Sequence, residues 1–120
     1  MDFSDLPEPM RNRIAERSAR PPLDKVRDML HTYLEDAEDL DAVRRELRDT
    51  TNFSSFYLHQ YLVAFETILS EPQPPGTLLR LVAWDANWGM GENATDEASA
   101  VFLREIAEMI RDAIRESDRR

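Results

Sequence analysis

The sequence predicts an all-α protein: a single domain of 120 residues, folded as a bundle of five or six helices with a glycine-containing loop before the last helix. Three observations predict this class. Apolar residues recur at helical spacing in most segments. Capping residues precede these segments, and proline-rich or glycine-containing stretches separate them. The chain also lacks a convincing pair of strands. We expect residues 1–5 and 116–120 to fray at the ends of the domain.

The first two helices are predicted on either side of the RPP run at residues 20–22. The earlier one carries Met10 and Ile14 on its apolar side and ends at that run. Pro22 suits the first turn of the second helix, where its missing N–H has no helical partner. The second helix then has apolar residues at helical spacing: Leu23, Val26, Leu30, Tyr33 and Leu34.

A short third helix and a long fourth helix follow. Asp39 or Asp41 can cap the third helix, whose apolar side is formed by Leu40, Val43 and Leu47. The fourth helix is expected over residues 55–70, SFYLHQYLVAFETILS. Its apolar and aromatic residues cover more than one face, which is typical of a central helix packed by several neighbours.

The EPQPPG stretch at 71–76 is a firm break before the last part of the chain. The LLRLVAW run at 78–84 could be a buried strand or a short helix, and we favour a helix because no second strand is available to pair with it. Thr95 is predicted to cap a long last helix. The buried stripe of that helix is expected to be Val101, Phe102, Ile106, Met109, Ile110 and Ile114.

Charge is unevenly distributed along the chain. The net charge is −9, and from Asp49 to Leu103 seven acidic residues accompany a single base, Arg80, so that this stretch has a net charge of −6. Such a balance argues against direct binding to nucleic acid or to an anionic membrane, because phosphate contacts depend on lysine and arginine. It would instead attract cationic partners. An acidic surface that only keeps the protein dispersed is the alternative.

Composition narrows the class of protein further. The absence of cysteine excludes disulfides, thiolate metal sites and cysteine nucleophiles. No apolar run is long enough to span a membrane, and the acidic start lacks the apolar region of a secretory signal. We therefore expect a soluble cytoplasmic protein. Lys25 is the only lysine among 15 basic residues, which indicates a GC-rich bacterial genome.

The LVAWDANWGMGENATDE stretch at 81–97 invites comparison with a calcium loop. An EF-hand loop needs oxygen ligands at alternate positions, glycine at position 6 and glutamate at position 12. Counting from Asp85, position 5 is Gly89, position 6 is Met90 and position 12 is Asp96, so the pattern fits poorly. Asn87 and Asn93 would be the remaining side-chain ligands. The simpler interpretation is that Gly89 and Gly91 permit positive φ in a turn between helices.

The residue patterns of catalysis are absent from the sequence. His31 and Glu35 lie one helical turn apart and could share a hydrogen bond or a metal ion, but the chain's two histidines do not define a zinc site. The other, His59, is expected to be a partly buried histidine with its hydrogen bonds satisfied. No serine has nucleophile-elbow context, and no glycine-rich phosphate loop is present. We expect neither enzymatic activity nor a cofactor or metal ion.

The two tryptophans suggest a surface for protein binding. Trp84 closes the apolar run and is expected to pack in the core. Trp88 lies among glycines and is the better candidate for exposure, and tryptophan is favoured in protein interfaces. The predicted contact residues are thus Trp88 and four nearby carboxylates, which suit an arginine- or lysine-rich partner. Those carboxylates are Asp85, Glu92, Asp96 and Glu97.

A small, acidic, cysteine-free helical chain without a catalytic signature resembles the immunity proteins of bacterial toxin systems, including those of contact-dependent growth inhibition. The FSSFYLHQYL and LVAWDANW segments, at 53–62 and 81–88, fit that character. The resemblance implies that the chain neutralises a cationic toxin domain by occlusion in the cytoplasm of the producing cell. Two alternatives stay open: a calcium-binding helical module that uses the 85–96 loop, and a dimeric all-α regulatory protein.

Overall fold

Helices form nearly all of the regular structure in residues 20–119, the part of the chain that the computed structural model describes apart from the side chain of Asn93. Helix α1 spans Pro22–Tyr33, α2 spans Leu40–Thr51 and α3 spans Phe56–Ser70. The chain continues through the short helix α4, Thr77–Arg80, a π-helical turn at Leu81–Asp85 and a 3₁₀ turn at Gly91–Asn93. Helix α5, Asp96–Asp118, ends the described chain.

The predicted helix starts correspond to particular caps. Pro22 occupies the first turn of α1, where proline is tolerated. The Asp39 side chain accepts a hydrogen bond from the backbone N–H of Ala42 at 2.8 Å, which caps α2. The Thr95 hydroxyl accepts one from the N–H of Ala98 at 3.1 Å, which caps α5. Each bond satisfies a backbone donor that has no partner within its own helix.

The core lies where α3 meets α1 and α5. Helix α3 packs against both of these helices, as its broad apolar surface predicted, while α2 packs mainly against α5. Phe65 of α3 and Met29 of α1 are fully buried, together with Leu103, Ile106 and Ile110 of α5. Burial of these side chains is the main favourable contribution to folding. Val101, predicted to be buried, is instead 61% exposed.

The fold class is confirmed over the described residues, which are helical and contain no strand. The run at 77–84 forms a helix rather than a strand, through α4 and the π turn. Gly76 precedes α4 with φ of +86°, a left-handed conformation that favours glycine. The predicted first helix, with Met10 and Ile14, lies outside the described residues. So do residues 1–5, which were predicted to fray.

Candidate functional site

The π turn at Leu81–Asp85 opens the region that the sequence singled out, which we call the 81–96 segment. The N–H of Ala86 donates to the carbonyl of Leu81 at 2.9 Å, and the N–H of Trp88 donates to that of Val82 at 3.0 Å. The first bond spans five residues instead of four, which widens the helix by one residue at the end of α4, and the second spans six residues. Turns of this kind occur frequently at functional sites. Asn87 follows with φ of +52°, a left-handed conformation that asparagine tolerates better than most residues.

Asp85 connects the segment to α1. Its carboxylate lies 2.9 Å from Nε2 of His31 and 3.7 Å from Nε of Arg27, and only 16% of its side chain is exposed. Nδ1 of His31 lies 3.2 Å from the carboxylate of Glu35. These contacts, first with Glu35 and then with Asp85, raise the pKa of His31, although slight burial opposes them. Asp85 is therefore largely engaged within the molecule.

Trp88 connects the segment to α5. Its ring packs against Phe102 with the centroids 5.6 Å apart, and Trp88 is half-buried against the core. Met90 is also half-buried, and its sulfur accepts a hydrogen bond from the Ser99 hydroxyl at 3.4 Å. Trp88 thus stabilises the segment and, contrary to the prediction, is not the more exposed of the two tryptophans.

Asp96 connects the start of α5 to the start of α4. Its carboxylate accepts hydrogen bonds from the backbone N–H groups of Gly76 at 2.7 Å and Leu79 at 3.0 Å. These two bonds lower the pKa of Asp96 below its usual value of 3.8. The arrangement serves a helix N-terminus, where unsatisfied N–H groups favour a carboxylate.

Trp84, rather than Trp88, is the more exposed of the two tryptophans. It is 77% exposed, so the expected core position of Trp84 is wrong. The fully buried residues of this stretch, Leu81, Val82 and Ala86, lie on one side of the helix, away from Trp84. Arg80, Trp84 and Asn87 have the opposite phase, and all three are exposed. The phase of the pattern could have identified this exposure from sequence, whereas the apolar character of the run could not.

The remaining predicted contact residues, Glu92 and Glu97, are exposed. Neither forms an ion pair within residues 20–119. The five predicted contact residues therefore divide into two groups. Three of them fix the segment to its surroundings: Asp85, Trp88 and Asp96. The other two, Glu92 and Glu97, are exposed to solvent. Sequence reasoning missed Trp84 as the displayed aromatic residue.

The calcium interpretation receives little support from this geometry. Asp85 is directed to α1 and Asp96 to the start of α4, so the two carboxylates serve different helices. Within residues 20–119, no group of three or more histidine or acidic side chains is arranged to hold a metal ion. Gly91 has positive φ, as predicted, but Gly89 does not. Asn87 takes the second left-handed position instead.

Comparison with protein-family models, with curated proteins and with solved structures finds no match to this chain. Among the helices of residues 20–119, none combines the length and apolar character needed to cross a membrane.

Proposed function

We propose that the chain is a protein-binding module of the immunity type, which occludes a cationic toxin domain, and that Trp84 anchors the interface. The observation that carries this proposal is the 77% exposure of Trp84 on a segment that is otherwise fixed in place. Tryptophan is among the residues most enriched at the energetic centres of protein interfaces. A monomer gains nothing in folding from an indole ring left largely in water.

The contacts around Trp84 favour binding at low entropic cost. The next residue, Asp85, is held by His31 of α1, and Trp88 is packed against Phe102 of α5. A partner would therefore meet an indole ring whose backbone is already ordered. Ordering a mobile loop on binding would reduce the affinity, and this segment avoids most of that loss.

The surrounding charge favours a cationic partner. Along the sequence, the stretch from Asp49 to Leu103 has a net charge of −6, with Arg80 as its only base. Within it, the exposed Glu92 and Glu97 form no ion pair among the described residues. Such a field accelerates association with a basic protein. Many toxins of immunity systems act on nucleic acids and carry basic active sites, so that an acidic protein of this size suits occlusion of such a site.

The test is binding to the protein encoded by the neighbouring gene, measured by calorimetry and by rescue of growth on co-expression. We expect Trp84→Ala to weaken binding by about 30-fold or more, the effect of losing an interface anchor. Val63→Ala is the matched control, since Val63 is also an exposed apolar residue, 62% accessible, but lies on α3. Binding that tolerates Trp84→Ala, or a neighbouring protein that does not bind at all, would contradict the proposal.

The contribution of charge to binding is tested separately from the contribution of Trp84. Glu92→Gln with Glu97→Gln should slow association and reduce its dependence on salt, while the dissociation rate changes little. Glu105→Gln is the control, because this exposed glutamate lies further along α5. An association rate that does not respond to the double substitution would remove the cationic partner from the proposal while leaving the role of Trp84 intact.

A further inference from the structure

A second surface, on the other side of α1, has the form of a docking site. A cavity of 460 Å³ opens where the ends of α1 and α2 meet the start of α3, and its lining includes Tyr33, Thr50, Phe53 and Tyr57. Phe53 belongs to the turn between α2 and α3 and is 92% exposed. Phe53 therefore adds exposed apolar surface at the edge of the cavity.

The walls of this cavity are fixed by internal contacts. The hydroxyl groups of Tyr33 and Thr50 are 2.9 Å apart and share a hydrogen bond. The Thr50 hydroxyl also lies 2.9 Å from the carbonyl of Glu46, to which it donates. The ring of Tyr33 meets that of Tyr61 edge to face, with centroids 6.5 Å apart. The cavity is therefore preformed, as most binding pockets are.

The charge at the rim is almost entirely negative. Glu46 and Asp49 line the cavity, and neither forms an ion pair among the described residues. An adjoining cavity of 340 Å³ shares Tyr33 and Glu46 with the first one and adds Asp36, Glu38 and a single base, Arg45. We call the two cavities together the acidic groove. Its four acidic residues and one base give it a net charge of −3.

We propose that the acidic groove binds a linear segment of a partner protein in which an apolar side chain is flanked by arginine or lysine. The apolar side chain would enter the cavity beside Phe53, and the basic groups would pair with Glu46 and Asp49. Because these carboxylates have no ion-pair partner within residues 20–119, the cations of such a segment would form ion pairs without breaking any among those residues. The same charge disfavours an acidic peptide, a nucleic acid or an anionic membrane as the occupant.

The acidic groove is distinct from the surface formed by Trp84 and the 81–96 segment. His31 of α1 contacts Asp85 of the 81–96 segment, whereas the next residue, Thr32, lines both cavities of the groove. Successive helical residues point in directions about 100° apart. The two surfaces thus flank the same end of α1, and each can be altered without the other. The groove proposal does not depend on the partner being a toxin.

The experiment selects peptides from a random library displayed on phage against the full-length protein, followed by calorimetry with a synthetic copy of the enriched peptide. We expect the enriched sequences to carry arginine or lysine on either side of a large apolar residue. Phe53→Ala should weaken their binding by about tenfold or more. The double variant with Glu46→Gln and Asp49→Asn should weaken peptide binding to a similar extent. It should also make peptide binding less dependent on salt concentration.

Matched controls separate this site from the other surface and from misfolding. Val63→Ala and the pair Glu92→Gln with Glu97→Gln should leave peptide binding unchanged, and circular dichroism should show every variant folded. The proposal is overturned if no peptide is enriched, if the enriched peptides are acidic, or if Trp84→Ala rather than Phe53→Ala abolishes binding. It is also overturned if light scattering shows a dimer that Phe53→Ala dissociates, because a second copy would then occupy the groove.

Discussion

Two acidic regions of this molecule use their carboxylates in different ways. In the 81–96 segment, Asp85 contacts His31 and Arg27, and Asp96 accepts hydrogen bonds from two backbone N–H groups. In the acidic groove, Glu46 and Asp49 have no ion-pair partner within residues 20–119. Two carboxylates in one region thus stabilise the chain, whereas the two in the other contribute no ion pair with the described residues. Acidic residues that look alike in the sequence therefore contribute to different properties.

The two tryptophans of the 81–96 segment differ from each other in the same way. Trp88 packs against Phe102, while Trp84, four residues earlier, is mostly in solvent. Residues that fix the segment should affect the free energy of unfolding when they are changed. Residues that only display a side chain should affect binding. Substitutions can test whether the residues that affect stability are distinct from those that affect binding.

Trp88→Ala should produce the largest loss of stability. Truncating a buried large aromatic residue costs about 3–5 kcal/mol, and Trp88 is only half-buried, so we expect a loss of about 2 kcal/mol. Trp84→Ala should cost about 0.5 kcal/mol or less, because a surface substitution removes little packing. Urea denaturation followed by circular dichroism measures both values. Equal losses for the two variants would contradict the division between them.

Asp96→Ala should produce a smaller loss of stability that depends on pH. The pKa of Asp96 is lower in the folded protein than its usual value of 3.8. Its contribution is therefore present above that value and is lost as the pH falls through the folded pKa. Thermal midpoints should be lower for the variant at neutral pH and should approach those of the unaltered protein in acid. Glu97→Ala, the adjacent exposed carboxylate, should show no such convergence.

His31→Gln should have a weaker effect with the opposite dependence on pH. The neighbouring carboxylates of Glu35 and Asp85 raise the pKa of His31 above 6.5. The contribution of the charged imidazole is complete below that value and disappears as the pH rises through the folded pKa. Since the side chains of His31 and Glu35 are exposed to solvent, we expect a difference of less than about 1 kcal/mol. Thermal midpoints across this pH range measure it, with His59→Gln on the exposed side of α3 as the control. A difference that grows with pH would show that Asp85 is held by other contacts.

Much of the fold follows from local signals in the sequence. The positions of Asp39 and Thr95 predicted the starts of α2 and α5, since a cap acts on the backbone a few residues away. The broad apolar surface of α3 predicted that several neighbours pack against it, as α1 and α5 do. Asp85 was different, because its partner His31 lies 54 positions earlier in the chain. No local pattern indicates a contact between residues so far apart.

The site was predicted less well than the fold, and the two tryptophans explain why. Both were assigned by the composition of their surroundings, with Trp84 in an apolar run and Trp88 among glycines. Which side chains are buried instead depends on their position around the helix, as far as the end of the π turn that contains Trp84. Beyond it, the left-handed backbone of Asn87 redirects the chain so that Trp88 meets Phe102. Phe53 was missed for a related reason: its exposure depends on where the fold places the turn between α2 and α3, which the loop sequence does not contain.

Glu46→Gln with Asp49→Asn should have the smallest effect on stability. These carboxylates form no ion pair in the described chain, so that neutralising them removes no attraction and relieves some repulsion within an acidic protein. We expect the free energy of unfolding to change by about 0.5 kcal/mol or less, as urea denaturation would show. A clear loss of stability would mean that the carboxylates of the acidic groove are structural, as Asp85 and Asp96 are.

The most direct test of the central claim, that Trp84 is displayed while Trp88 is structural, is the fluorescence of single-tryptophan variants, since the chain has two tryptophans. In Trp88→Phe, the remaining Trp84 should emit like tryptophan in water and be readily quenched by acrylamide. In Trp84→Phe, the remaining Trp88 should emit at shorter wavelength and resist quenching. The reverse assignment, or identical spectra from the two folded variants, would contradict the account.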